Sequence, residues 1–311
     1  MLDLAVNTGV KKMYKKILLP LDGSKLAEAS IGYAVWLAGK SGAELQLMHV
    51  YRGGSRDKSP YLERVIASIH RRELSAGTEI PVKAVVSRGD PASEILQYTE
   101  NNDVDLIAMS THGHTGLKRW VIGSVADKVI RNSNRPVRLY KSHAGSMSGD
   151  TGYGNRVLTL IDGSDYSEQA IPHAAYHARL DGGALILMSV CEPPELVPAA
   201  SYHIIPHDYP PTRPVQWEKY VEQETAQRKQ ACGLYLSKLA EQNKENGVRT
   251  QASSPFGKPE DEIIKYLGEN PVSLVAMTTR GRSGVSRWIF GSVAEKILLA
   301  SSQPILLINP G

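Results

Sequence analysis

Only two cysteines occur in 311 residues, Cys191 and Cys232. They show neither metal-ligand spacing nor a disulfide framework, and so few thiols fit a reducing cytoplasm. No apolar run approaches the roughly 20 residues needed to cross a bilayer, so no membrane partner is expected. Met1 to Lys16 lacks an apolar centre followed by a cleavage site, which argues against a signal peptide. The formal net charge is +4, and the excess is scattered without a Lys/Arg block or aromatic platform, so nucleic acid is not expected as a partner. Three catalytic signatures are also missing: the Gly-x-x-x-x-Gly-Lys-Ser/Thr phosphate loop, the Gly-x-Ser-x-Gly elbow and the His-Glu-x-x-His zinc pair. No dedicated catalytic apparatus is therefore expected, and no resident metal site.

What the chain does contain is one unit written twice. Lys16-Ile-Leu-Leu-Pro-Leu-Asp22-Gly-Ser24 matches Arg156-Val-Leu-Thr-Leu-Ile-Asp162-Gly-Ser164 at an offset of 140, and Leu45 to Val50 matches Leu185 to Val190 at the same offset. Gly89-Asp-Pro91 then pairs with Gly257-Lys-Pro259 at an offset of 168, so the second copy carries 28 extra residues between Val190 and Gly257. Seven prolines lie between Glu192 and Pro214; that density excludes helix and central strand, so an extended surface loop is expected over about 192–217. The Gly/Ser-rich stretch 143–154 has no apolar periodicity and reads as a linker. Domains are thus expected at 13–142 and 155–311.

Elements alternate within each copy. Ile17 to Leu21, Leu45 to Val50, Val82 to Ser87, Asp105 to Met109 and Pro136 to Tyr140 are short apolar runs suited to strands. Helical spacing falls between them, from Leu26 to Ala38, Tyr61 to Ser75, after Asp90-Pro91 and from Ser124. Strands separated by helices imply parallel crossovers. The expected fold is α/β, with two tandem doubly wound five-stranded parallel-sheet domains. Val137 to Tyr140 and Ile305 to Ile308 close their domains as apolar strands, and an unpaired edge strand seeks a partner.

The longest identity between the copies follows the fourth strand. Ser110-Thr-His-Gly113, then nine residues, then Gly123-Ser124 recurs as Thr278-Thr-Arg-Gly281, nine residues and Gly291-Ser292, with Arg119-Trp120 matched by Arg287-Trp288. Glycines in register define a backbone shape. Gly113 and Gly281 remove side chains that would hold a phosphate off the backbone. Gly123-Ser124 and Gly291-Ser292 open helices, where unpaired N–H groups favour an anion. Each serine hydroxyl either donates to a phosphate or caps its helix. Asp22 and Asp162, each before Gly-Ser, are either turn formers or ligand contacts. His112 and His114 are replaced by Arg280 and Arg282 in the copy, which argues against a metal role.

The Gly113-(nine)-Gly123-Ser124 spacing, its copy, and Asp22 and Asp162 at strand ends resemble the universal stress protein family. The resemblance covers nearly the whole chain, outside the first dozen residues, the linker and the proline-rich insertion. It implies an adenine nucleotide alpha hydrolase-like fold and ATP, with Mg²⁺, in each domain. Gly113, Gly123, Ser124 and Val125 would hold the nucleotide in the first domain, as would Gly281, Gly291, Ser292 and Val293 in the second. Asp22 and Asp162 would sit by ribose and adenine, and the backbones of Val50 and Val190 would read the adenine edge. The family's first glycine is Ser110 in one copy and the bulkier Thr278 in the other. By the same resemblance the two closing strands pair about a pseudo-twofold inside the chain; association of two such chains into a homodimer is a separate, further expectation. The implied role is regulatory, in a stress response; the alternatives are a nucleotide-free interaction scaffold and a slow ATP hydrolase.

Overall fold

The computed structural model describes residues 12–52, 59–76, 79–111, 122–140, 155–193, 214–245, 247–281 and 291–310. In the first domain, strands β1 (Lys16–Pro20), β2 (Glu44–Tyr51), β3 (Val82–Arg88), β4 (Leu106–Ser110) and β5 (Val137–Tyr140) alternate with helices. These are α1 (Lys25–Glu28), α2 (Ile31–Ser41), α3 (Ser59–Ala76), α4 (Pro91–Asn101) and α5 (Ser124–Asn132). The second domain repeats the order: β6 (Arg156–Leu160), α6 (Asp165–Glu168), α7 (Ala170–Leu180), β7 (Ala184–Met188), α8 (Pro214–Glu245), β8 (Arg249–Ser253), α9 (Pro259–Glu269), β9 (Leu274–Thr278), α10 (Ser292–Ala300) and β10 (Ile305–Ile308).

Two local features differ from the sequence reading. The helix expected over Leu26 to Ala38 is broken into α1 and α2, because Ser24 caps a single turn through Ala27 N and the chain restarts at Ile31. The extra length of the second copy is not loop alone: α8 runs 32 residues against 18 for α3. Pro214 opens α8, the first-turn position at which proline loses no helical hydrogen bond. Residues 194–213 of the proline-rich segment, and the linker 143–154, lie outside the described residues.

The ten strands form one sheet in the order β3-β2-β1-β4-β5-β10-β9-β6-β7-β8. Within each domain every pairing is parallel; the join, β5 to β10, is antiparallel, with Leu306 opposite Arg138 and Leu307 opposite Val137. The two sheets are therefore one, and the cores are shared. On one face Ile17, Leu19, Leu45 and Leu106 continue through Leu306 into Val157 and Leu185. On the other, Leu18, Ile107 and Leu139 continue into Leu158, Val275 and Leu307. That alternation along each strand is the period of a sheet buried on both sides.

In each domain the strand order reverses beside its first strand. From β1 the chain moves outward to β2 and β3, then crosses back to β4; β6 stands in the same relation to β7 and β9. A crevice forms where the crossovers leave the sheet on opposite faces, outside the carboxyl ends of the strands.

Candidate functional site

Both crevices are present. The first, about 240 Å³, lies between Asp22 after β1, Val50 at the end of β2, Ser110 and Thr111 after β4, and Gly123 to Ala126 at the start of α5. The second, about 400 Å³, lies between Asp162, Val190, Thr278 to Gly281, and Gly291 to Ala294. Eleven of the twelve expected residues are thus brought to the two crevices; Gly113 lies outside the described residues. So do His112, His114, Arg119, Trp120, Arg282, Arg287 and Trp288.

Each of the two helix starts is built in the same way. Gly123 and Gly291 are the N-caps, with φ/ψ of −62/148 and −62/147. That is extended backbone open to any residue, so neither glycine is demanded by its conformation. Their own N–H groups are already used: Gly123 donates to Thr111 O at 2.8 Å and Gly291 to Thr279 O at 3.3 Å. These bonds pin both ends of the loop together. The first intrahelical bonds come from Asp127 N to Gly123 O and from Glu295 N to Gly291 O. The N–H groups of Ser124, Val125 and Ala126, and of Ser292, Val293 and Ala294, have no acceptor among the described residues. A glycine cap offers no side-chain acceptor either. The serines occupy the first helical position and are exposed, so capping is not their role.

A Cβ added at Gly291 meets nothing within 4 Å. Ser, Asp or Asn there would cap the helix better than glycine does. The glycine instead keeps the space in front of three donors empty, and those donors carry the positive end of the helix dipole.

Asp22 and Asp162 are turn formers. Asp22 Oδ1 accepts the Ser24 N–H at 2.9 Å, and Asp162 Oδ1 accepts the Ser164 N–H at 3.0 Å and hydroxyl at 2.6 Å. The intervening Gly23 and Gly163 take φ of +83° and +84°, a region that favours glycine. Both carboxylates also face their crevices. In the second domain Asp162 lies against the glycine loop: a Cβ on Gly281 would stand 2.1 Å from Asp162 Oδ2. Because Ser164 holds the other oxygen, the carboxylate cannot simply swing aside. Gly281→Ala is expected to lose about 1–3 kcal/mol of stability, read from urea denaturation.

Val50 and Val190 present backbone rather than side chain. Leu21 N donates to Met48 O at 2.7 Å as the last rung between β1 and β2, and Gly89 N bonds Tyr51 O on the opposite side. Peptide groups alternate direction along a strand, so those of Val50 face β1 just beyond its end. Val190 repeats this: Ile161 N reaches Met188 O, while Cys191 N turns to Pro255 O. Each valine thereby offers a donor and an acceptor along one edge of its crevice.

Thr278 does not close the second crevice, which is the larger of the two. Its hydroxyl donates to Arg280 O at 2.5 Å, drawing the side chain onto the loop's own backbone. The rims differ in charge. Arg52 pairs with Asp90 at 2.9 Å beside the first crevice; Glu192 and Lys258 occupy the matching positions of the second copy. Glu260 also lines the second crevice, and its pairing with Lys296 holds its carboxyl below the usual range.

The apolar walls were not anticipated. Met48, Pro91, Ile95 and Met109 line the first crevice, and Met188, Pro259, Ile263 and Met277 the second. All four pairs are identical residues at the offsets of the repeat. That identity was a readable signal, hidden because an apolar residue at a strand end or on a helix face is ordinary core material. Among the described residues no three His, Cys, Asp or Glu groups converge as a metal site, and no helix is long and apolar enough to cross a membrane.

Comparison with known proteins places this architecture. The model of the universal stress protein family matches residues 13–141 and again 154–309. A universal stress protein of Mycolicibacterium smegmatis is 24% identical over 94% of this chain and 97% of its own length. One from Methanocaldococcus jannaschii is 30% identical over 42% of this chain and 84% of its own length. Among solved structures, a universal stress protein from Archaeoglobus fulgidus covers 95% of this chain and 98% of its own at a TM-score of 0.65 and 20% identity, a likeness of fold. With its two matched domains spanning nearly the whole sequence, the chain belongs to the universal stress protein family.

Proposed function

We propose that each crevice binds an adenine nucleotide, ATP with Mg²⁺, and that the protein acts through nucleotide binding in a regulatory, stress-response role rather than as an enzyme. The observation that carries this reading is the pair of glycine-capped helices. Each presents to its crevice three N–H donors that have no acceptor among the described residues, behind a cap without a side chain. An anion placed there would accept from these donors. Val50 and Val190 supply the donor and acceptor that an adenine edge requires, and the methionine, proline and isoleucine walls suit a flat apolar ring.

Magnesium fits the ligand more than the protein. Asp22 lines the first crevice and Asp162 lies against Gly281 in the second, so phosphate oxygens and water would supply most of an octahedral shell. Mg²⁺ would neutralise phosphate charge. The chain's own residues would grip and orient the nucleotide. Glu192 and Glu260 line the second crevice, but Arg52 and Ala92 hold the matching positions of the first copy, and hydrolysis is not part of the proposal. Association of two chains has to use surfaces other than β5 and β10, since those edges already pair within the chain. Two free cysteines agree with a cytoplasmic setting.

Melting the purified protein with and without Mg-ATP tests the reading. Nucleotide at about 100 times its dissociation constant adds about 2.7 kcal/mol of stability, a clear upward shift of Tm. An unchanged Tm, with no nucleotide released on denaturation, sinks the proposal and leaves a nucleotide-free scaffold.

A further inference from the structure

The pseudo-twofold seam is symmetric in backbone but not in chemistry. Arg138 on β5 sits directly opposite Leu306 on β10, and these positions correspond between the copies. The guanidinium is 4% exposed and lacks a carboxylate within ion-pair distance among the described residues. Its Nη1 instead donates to Nδ1 of His177 on α7 at 3.0 Å, and its cationic carbon lies 5.3 Å from the Tyr140 ring and 6.0 Å from the Trp36 ring. His177, 1% exposed, reaches the Tyr14 hydroxyl through Nε2 at 3.5 Å, and that hydroxyl lies 3.0 Å from Nδ1 of His173. Tyr14, Arg138 and Tyr140 belong to the first domain; His173 and His177 belong to the second. In the first copy the positions of His173 and His177 are held by Tyr33 and Leu37.

The direction of these bonds dictates protonation. Arginine has only donors, so Nδ1 of His177 must accept and its proton must sit on Nε2. That N–H points at the Tyr14 oxygen, which leaves the Tyr14 O–H to donate to Nδ1 of His173. The chain Arg138 → His177 → Tyr14 → His173 is complete only with both imidazoles neutral. A proton on Nδ1 of His177 removes the acceptor for Arg138 and sets two buried cations side by side. A proton on Nδ1 of His173 removes the acceptor for the Tyr14 O–H and turns a second donor toward its oxygen.

We propose that this cluster is an acid-operated latch, in which proton uptake by His177 and His173 loosens the pairing of β5 with β10 and parts the two domains along the seam.

The surrounding charges act as follows. Arg138 from β5 opposes protonation of His177, and burial opposes it more strongly, holding that imidazole well below its ordinary value. Burial brings His173 down to about 4. Tyr14, held up by desolvation despite Arg138, and Tyr140 stay neutral, as does Tyr176 beside Tyr14. Asp105 acts on Tyr14 from the start of β4. Asp181 at the end of α7 works in the opposite sense: burial raises its carboxyl, with Arg138 and Lys40 of α2 pulling it down, so it takes a proton more readily folded than unfolded. For the histidines the sign is plain. Their folded values lie below the unfolded one, so the open form binds protons first, and closure weakens as pH falls from about 6.5 toward 4. At pH 5 His173 alone shifts the equilibrium about 30-fold toward the open form.

Hydrogen exchange by mass spectrometry on the full chain reads the seam directly. After correction for intrinsic amide chemistry, peptides spanning 137–140 and 305–308 should exchange at least about 30-fold faster at pH 5 than at pH 7. Peptides from β1 and β2 should not share that acceleration. In His173→Gln the seam acceleration should fall by about 30-fold, and in the double variant Arg138→Leu with His177→Leu only the share of His173, about 30-fold, should remain. Acceleration that is equal in β1 and β2, or unchanged in His173→Gln, overturns the latch. Should the double variant fail to fold, His173→Gln decides alone, because His173 is less deeply buried and does not contact Arg138.

Discussion

Aspartate at both helix-capping glycines, Gly123→Asp with Gly291→Asp, is expected to abolish nucleotide binding without weakening the fold. The backbone at both positions is extended, at φ −62°, and accommodates aspartate without strain. At Gly291 the new Cβ meets nothing within 4 Å. The side chain then accepts from the N–H groups of the first turn, which is the best capping arrangement a helix has, so stability should stay within a few tenths of a kcal/mol or rise. The same carboxylate fills the anion's place and repels any phosphate that approaches. A unit charge at about 4 Å costs about 4 kcal/mol at a surface-like dielectric, so affinity should drop by more than about 100-fold. Titration calorimetry on the double variant and on each single variant, beside urea denaturation, separates the two effects and the two sites. Wild-type affinity in the double variant means that these helix ends hold no phosphate.

Leu306→Arg is expected to be the most damaging single change to the seam. Leu306 is fully buried and stands directly opposite Arg138 in the antiparallel pair, where facing residues lie about 4.5–5.5 Å apart. Arg138 already leaves its Nε without a partner and depends on a neutral histidine and two aromatic faces. A second guanidinium has no counter-charge there, and an uncompensated buried charge costs about 3–5 kcal/mol. Urea denaturation should then lose its single transition, because the shared core on the seam face is what couples the domains. The complementary change, Arg138→Leu, makes the seam Leu against Leu and should be near neutral, since hydrophobic replacement of buried charge often is. Equal losses in the two variants mean that the charge at this position has no special cost.

Much of this molecule was legible before its structure. Strand cores such as Ile17 to Leu19 and Val275 to Met277 announce themselves as short apolar runs. The N-cap at Asp90 and the proline at the start of α4 follow from local hydrogen-bond chemistry. The break between α1 and α2 was not legible, because the helical spacing runs on through Ala29 and Ser30 while the Ser24 cap completes only one turn. In the candidate site, Gly123-Ser124 and Gly291-Ser292 stood out because duplication kept them in register. Asp22 and Asp162 remained ambiguous until the Asp–Gly–Ser turns were seen, since a carboxylate before Gly-Ser suits a turn and a ligand equally well.

The sequence alone determined that the chain is one α/β unit repeated, that each unit has five strands, and that each keeps a glycine-serine helix start. Those properties rest on periodicity, capping and spacing, which act between residues close along the chain. Only the tertiary structure decided that the glycines' own N–H groups tie the loop shut and leave the next three donors facing the crevice. It alone decided that methionine, proline and isoleucine form the crevice walls. The pairing of the closing strands was expected from the family resemblance, but only the structure gave its antiparallel register, with Leu306 opposite Arg138, and set Arg138 against His177 rather than a carboxylate. These arrangements join residues as far apart as Tyr14 and His177, whose meeting depends on which strand edges pair. Edge pairing is set by the burial of whole sheets, and no local run of sequence carries that information.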